Sequence, residues 1–279
     1  MKILFAILIV LAIVLLGLAV IVFLDRRADR SEWDRLATLQ PDDPPVFDEQ
    51  LVADLPDPAR RYFTYVIQPD TPLLPVVEIE MTGQFSLGTK DNPRYQPMEA
   101  RQVLAAPEGF VWAMKTTGGM PVAGSDSGLW TRFRIFGSIP VARSGGDPDH
   151  ARSAFGRYVS EAVIWSPAAM LPGPSVSWAE VDDDTARVTV RRGDLSQVVD
   201  VTVDAQGRPE VVFFERWTNA NPDKAYRFQP FGAVVSDFRE VGGYRLPFHV
   251  EAGNMFGTDD YFPFFIADIA EIRFPDGKP

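Results

Sequence analysis

The sequence has no cysteine and only two histidines among its 279 residues. Without a thiol there is no disulfide, no thiolate nucleophile and no cysteine-ligated zinc or iron–sulfur centre. His150 and His249 have acidic neighbours, Asp147 and Asp149 for the first and Glu251 for the second. Spacing alone does not bring the two together, so no metal and no cofactor is assigned. His150, in the first turn of an expected helix, is expected at the surface. Phosphate-binding loops and dinucleotide fingerprints are missing. Gly124-Ser125-Asp126-Ser127-Gly128 lacks the G-x-S-x-G spacing of a nucleophile elbow. Asp182-Asp183-Asp184 lacks the glycine and distal glutamate of a calcium loop and reads as a solvated turn. Positive charge is also short, with 27 Lys and Arg against 38 Asp and Glu and a net charge of −11. Such a surface repels a phosphate backbone, which argues against nucleic acid as a partner.

What the chain does have is one long apolar run. Ile3 to Leu24 carries no charge and is interrupted only by Gly17. Its 22 helical residues would extend about 33 Å, enough to cross a hydrocarbon core of about 30 Å. A cleaved signal peptide has a shorter apolar stretch, about 7–15 residues, ending in a small-x-small site. Here the run closes on Val22-Phe23-Leu24-Asp25, so residues 1–25 read as an uncleaved single-pass anchor in the plasma membrane. Lys2 lies before the run, and Arg26, Arg27, Arg30 and Arg35 follow it. By the positive-inside rule that asymmetry places the body in the cytoplasm.

Residues 26–45 are polar and end in Pro41-Asp42-Asp43-Pro44-Pro45. They read as a tether whose arginine-rich start can prolong the helix and whose prolines form a stiff spacer. Residues 46–279 show no repeat and no shift in composition, and read as one domain. Asp57-Pro58 opens a helix with Tyr62, Phe63, Val66 and Ile67 at helical spacing. From Val77 the period changes to two, Val77, Ile79 and Met81 alternating with Glu78 and Glu80. Further strands are expected over 99–105, 110–115, 129–136 and 138–143. Asp147-Pro148 then starts a helix striped by Ala151, Ala154, Phe155, Tyr158, Ala162 and Trp165. Strands follow over 175–181, 186–191, 197–203, 209–217, 234–241, 248–253 and 264–274. The expected fold is mainly β (α+β): a strongly curved antiparallel sheet, or half-open barrel, of about eleven strands with helices in its concave side. Val211–Phe214 is apolar on both faces, which requires cover from helices or from a bound apolar ligand.

Arg157 and Glu161 stand at i,i+4 spacing, bordering the apolar stripe. At a cavity mouth such a pair can hold a polar headgroup above an apolar chain; as a boundary ion pair it fixes the helix on the sheet. Glu99 and Arg101 share one strand face beside Gln102. They are expected to face Arg157 or Glu161 inside the barrel, as a polar network that is either structural or a site. Trp112, Trp130, Trp165, Trp178 and Trp217 fit a pocket lining or an aromatic core. Phe262-Pro263-Phe264-Phe265-Ile266 fits a membrane-contacting rim or a last core strand. The candidate ligand-binding set is Glu99, Arg101, Gln102, Trp112, Arg157, Tyr158, Glu161 and Trp165, with no catalytic residue assigned.

Several stretches carry a resemblance. They are Leu55-Pro56-Asp57-Pro58-Ala59-Arg60-Arg61-Tyr62, Glu99-Ala100-Arg101-Gln102 leading to Gly109-Phe110-Val111-Trp112, and Gly137-Ser138-Ile139-Pro140-Val141-Ala142. Arg157-Tyr158-Val159-Ser160-Glu161-Ala162 follows, running into Trp165, Pro167 and Leu171-Pro172, and then Trp178 and Asp183 to Val188. Together they resemble a family of bacterial proteins of unknown function whose fold is similar to the lipoprotein-carrier fold of LolA. The resemblance implies a half-open β-barrel with a helical lid over an apolar cavity, and no activity. LolA-like carriers bind acyl chains but are soluble and secreted, so the resemblance favours an extracytoplasmic body, opposite to the arginine count. The expected function is a membrane-tethered, non-enzymatic module that binds an acyl chain, lipid or other apolar ligand. The alternatives are an envelope protein–protein interaction domain with a solid core, and an enzyme using Glu161 and Glu99 on a membrane-derived substrate. No protein partner is named by the sequence.

Overall fold

A computed structural model of the protein describes residues 1–276. Strong period-two patterning runs through most of the chain after residue 76, and it builds one antiparallel sheet of thirteen strands. The first six are β1 (Val77–Ser86), β2 (Tyr95–Ala105), β3 (Gly109–Thr116), β4 (Val122–Ser127), β5 (Trp130–Ile135) and β6 (Ile139–Gly145). The other seven are β7 (Val176–Glu180), β8 (Thr185–Arg192), β9 (Leu195–Val203), β10 (Pro209–Thr218), β11 (Arg227–Val241), β12 (Tyr244–Asn254) and β13 (Phe265–Arg273). Each wing is a simple meander, and the two join where β1 pairs with β13. The sheet stays open: β6 and β7 are its two edges.

The expected count of about eleven strands is corrected to thirteen. The strand wholly unforeseen is β4, Val122–Ser127. Its hydrophobic pattern is hidden because the buried side chains Ser125 and Ser127 are polar. Ser125 Oγ donates to Asp29 at 2.7 Å, and Trp130 Nε1 donates to Ser125 Oγ at 3.0 Å. Hydrogen bonds replace the apolar contacts from which a strand is usually read.

Helix α3 (Pro148–Trp165) links the two edges and packs on β9, β10 and β12. Asp147 caps it by accepting from the His150 amide at 2.8 Å. His150 itself is buried, contrary to expectation, because β5 lies against this first turn and Thr131 Oγ1 comes within 3.1 Å of Nε2. Helix α2 (Asp57–Val66) covers β7, β8, β9 and β12. Its Tyr62 hydroxyl donates to the Val163 carbonyl of α3 at 2.7 Å, and its ring lies 5.6 Å from Trp178. Beneath these helices Val188, Val190, Val199 and Val201 are fully buried.

The first helix, α1 (Lys2–Ala37), contains the apolar run and continues unbroken beyond it. Among the described residues it is the one helix long and apolar enough to cross a membrane. Its second part lies across the convex face of the first wing. Leu36 packs against Val76, Val103, Ala105 and Val111. Trp33 Nε1 donates to Glu78 at 2.7 Å. Burial pushes the Asp29 carboxyl above its usual range, against the opposing pull of the Ser125 hydrogen bond. Asp25, only 2% exposed, is met by Arg134 at 3.2 Å, Arg132 at 3.3 Å and Arg143 at 2.9 Å. From Leu36 to Asp25 the helix travels about 16 Å at its 1.5 Å rise per residue. That carries it from β2 and β3 across β4 to β5 and the edge strand β6.

Candidate functional site

Alternation on β5 divides its side chains between two jobs. Arg132 and Arg134 point outward to Asp25, while Phe133 and Ile135 point inward. The inward residues help enclose a cavity of about 600 Å³ on the concave side. Phe85, Trp112, Met114, Val122 and Val141 line it from the first wing. Val212, Phe214, Phe231, Ala233, Val250 and Ala252 line it from the second, and α3 contributes Ile164 and Trp165. Phe264 and Phe265, from the Phe262–Ile266 cluster, complete the wall at the seam. This volume falls within the roughly 300–1,000 Å³ of small-ligand pockets.

Polar groups on the wall are few and gathered where α3 faces β4 and β10. Arg157 Nη1 donates to Asp126 Oδ2 at 2.6 Å, and its Nε donates to Glu161 Oε1 at 2.7 Å. Gln102 Nε2 donates to Glu161 Oε2 at 2.7 Å. Asp126 Oδ1 accepts from the Thr131 hydroxyl at 2.5 Å and the Ser127 amide at 3.2 Å. The Arg157 guanidinium also lies over the rings of Phe110, 4.9 Å away, and Trp112, 5.0 Å away. Burial works to lower its pKa, but the carboxylates of Glu161 and Asp126 outweigh it and the pKa is raised. A charge this deep is tolerated because it is paired.

Of the sequence-derived set, Trp112, Arg157, Glu161 and Trp165 line the cavity, and Gln102 joins them through Glu161. Tyr158 is buried beside the site, packed on Phe110 and Phe155 with its hydroxyl donating to the Pro107 carbonyl at 3.2 Å. Glu99 and Arg101 are not in the cavity. Gln102 points inward on β2, so residues 99 and 101 fall on the convex face. There Glu99 pairs with Lys115 at 2.9 Å and Arg101 lies 5.0 Å over the Trp33 ring. Glu99 and Glu161 therefore sit on opposite faces of the sheet and cannot share one substrate.

Two residues of the site were not singled out from the sequence. Asp126 lies in the serine-rich stretch set aside as a failed nucleophile elbow. Arg216 follows Val212 and Phe214 at period two on β10, and that spacing alone places its charge on the inner face. Its guanidinium lies 5.0 Å over the Phe231 ring, and its buried Nε has no partner. Burial, with Arg157 nearby pushing the same way, takes its pKa down to about 10. The histidines do not form a metal site: His150 is held by Thr131, and His249 bonds Asp268 at 2.7 Å and Glu251 at 3.3 Å. Among the described residues no cluster of three potential ligands gathers.

Comparison with solved structures finds low-identity resemblances over most of the chain. A LolA superfamily protein from Nitrosomonas europaea is 10% identical, with a TM-score of 0.40 over 78% of this chain and 91% of that one. A putative outer membrane lipoprotein-sorting protein domain from Vibrio parahaemolyticus is 10% identical, with a TM-score of 0.36 over 73% and 87%. A DUF1329 family protein from Desulfovibrio piger is 8% identical, with a TM-score of 0.38 over 72% and 86%. No curated protein matches the chain. Residues 45–266, from the last proline before the domain through the start of β13, match the family of unknown function DUF6544, and the chain belongs to that family.

Proposed function

We propose that this protein is a membrane-tethered module that holds an acyl chain or another elongated apolar ligand. The observation that carries this reading is the cavity of about 600 Å³ walled by aromatic and aliphatic side chains. Packed interiors leave few voids larger than a water molecule. A pocket of this size lined this way is what an apolar occupant requires, and a solid-core interaction domain has no use for it.

The position of α1 supports delivery from a bilayer. Residues 25–36 are fastened to the wing that forms half of the cavity wall, and the apolar run leaves that wing beside β5 and β6. Leu18 and Val22, within the run, are still partly covered. The β5–β6 hairpin exposes Phe136, Ile139 and Val141. Leu87 and Met120, also exposed, line the cavity together with Val141. The cavity mouth thus opens among exposed apolar side chains, on the wing that carries the anchor.

The test uses the full chain, purified from membranes in mild detergent and extracted for lipid mass spectrometry. An acyl compound in stoichiometric amount, lost in an Ala142→Trp variant that plugs the mouth, is the expected result. A stable protein carrying no extractable ligand, and taking up none from added lipid, would overturn the reading.

A further inference from the structure

The donors and acceptors on the cavity wall do not balance, and the imbalance has a direction. All four oxygens of Asp126 and Glu161 already accept at least one hydrogen bond, from Arg157, Gln102, Thr131 or the Ser127 amide. Arg216 is different. It offers five N–H donors in a rigid fork, yet makes no hydrogen bond or ion pair with another described residue; its Nε is sealed in, its two Nη groups are left to face the cavity, and the nearby carboxylates are engaged by Arg157. Trp112, another wall residue, has a buried Nε1–H that is likewise unpartnered. The wall thus holds a guanidinium without a partner among the described residues, beside carboxylates whose every oxygen already has at least one.

Accepting the reading of the cavity as an apolar-ligand site, we infer that its ligand carries an acceptor-only anionic head, a carboxylate or phosphate, and that Arg216 binds that head. A cationic head would be repelled by Arg216 and Arg157, and a hydroxyl would give Arg216 only a single, uncharged acceptor. A hydrocarbon would leave a buried guanidinium unsatisfied, which costs more than leaving an ordinary polar group unpaired. A carboxylate or phosphate meets the guanidinium fork with two parallel charge-assisted bonds. The two arginines and two carboxylates of the cluster sum to zero formal charge, so an anion without a chain gains little here. Val212 and Phe214, inward neighbours of Arg216 on β10, continue into the apolar wall, so the head and the chain are recognised side by side.

The test uses full-length protein, stripped of lipid and placed in nanodiscs of zwitterionic lipid. Tryptophan quenching by dibromostearate is compared with quenching by the corresponding dibromo alcohol, with empty discs as background. Palmitate and lysophosphatidate then compete for the bound probe, one carrying a carboxylate and the other a phosphate. The wild type is expected to bind the carboxylate at least tenfold more tightly than the alcohol. Arg216→Leu is expected to reduce that ratio to about one while keeping its melting temperature, and Arg216→Lys to restore part of it. Competition by palmitate alone assigns a carboxylate, and by lysophosphatidate alone a phosphate; either supports the inference. Equal binding of acid and alcohol by the wild type, or a preference that survives in Arg216→Leu, overturns it and leaves the apolar-ligand reading standing. Failure of both probes to bind overturns that reading itself.

Discussion

On β8 and β9 the inward side chains include Val188, Val190, Val199 and Val201, fully buried in one cluster with Tyr62, Phe63, Phe155 and Val159. On β5 and β6 they include Phe133, Ile135 and Val141, which face a cavity. Both wings obey the same alternation, and the larger side chains sit where there is less to fill. Small β-branched residues form a floor onto which α2 and α3 pack down to contact. The aromatic residues of the cavity wall touch at tilted or edge-on angles, as Trp112 does Phe133 and Phe265 and as Phe231 does Phe214 and Phe264, and enclose a space rather than fill it. Void and packing here follow from where the helices lie rather than from how hydrophobic the strand is, since α2 packs on β8 and β9 and α3 on β9, while α3 meets β2, β3 and β6 of the first wing far more lightly.

Deleting one side chain from the packed core over β9 and one from the cavity wall is the sharpest way to break that contrast. Phe155→Ala, at 1% exposure, should remove about 3–5 kcal/mol of stability, the usual cost of a large core deletion. Urea denaturation in detergent measures it. Arg157→Met should cost about 3 kcal/mol, because Asp126 and Glu161 are left facing each other with their shared cation gone. Asp25→Ala should cost about 2 kcal/mol, since Arg134 is buried while Arg132 and Arg143 can turn to water. Its main readout is faster tryptic cleavage at Arg26, Arg27 and Arg30 as α1 lifts from the sheet. Phe133→Ala, on the cavity wall, should cost about 1 kcal/mol or less while ligand retention falls. If Phe133→Ala proves as destabilising as Phe155→Ala, the cavity is part of the core and the contrast fails.

The smallest expected effect lies in the second wing, where β12 pairs with β13. The hydrogen bond to Asp268 raises the His249 pKa above 6.5, with Glu251 assisting against partial burial. Because the folded value is the higher one, this stabilisation is complete below about pH 6.5 and disappears as pH rises through the folded pKa. Wild type should therefore lose under 1 kcal/mol more than His249→Gln between pH 6 and pH 9. Ligand binding should be indifferent to the substitution.

Much of this was legible in the chain. Alternation at Val77, Ile79 and Met81, and again at Val188 and Val190, announces half-buried strands, and Asp147-Pro148 announces α3. The i,i+4 spacing of Arg157 and Glu161 correctly pairs them. The errors have a common cause: which face of a strand looks inward is decided by partners far away in sequence. Glu99 and Arg101 share a face, but it is the convex one, because Gln102 takes the inward position opposite Glu161. Asp25 reads as a flanking charge until Arg132, Arg134 and Arg143, more than a hundred residues later, fold over it. Ser125 and Ser127 mask a strand because polar groups from α1 and Trp130 complete their burial.

The seam between β1 and β13 has a consequence for how the protein is made. Glu80 and Arg273, which meet across it at 3.1 Å, lie 193 residues apart. At about 5–20 residues per second, the ribosome needs on the order of ten seconds or more to travel between them. For the part of that interval after Gly145, α1 and the six strands of the first wing exist without the strand that covers their inner edge. An uncovered strand edge is a template for pairing with the wrong chain, and contacts this distant in sequence form slowly. The docking of Leu36, Trp33 and Asp25 on the convex face needs nothing from the second wing except Arg273 near Glu78. The growing chain can therefore park its first wing against α1, apart from its siblings, until the last strand is synthesised.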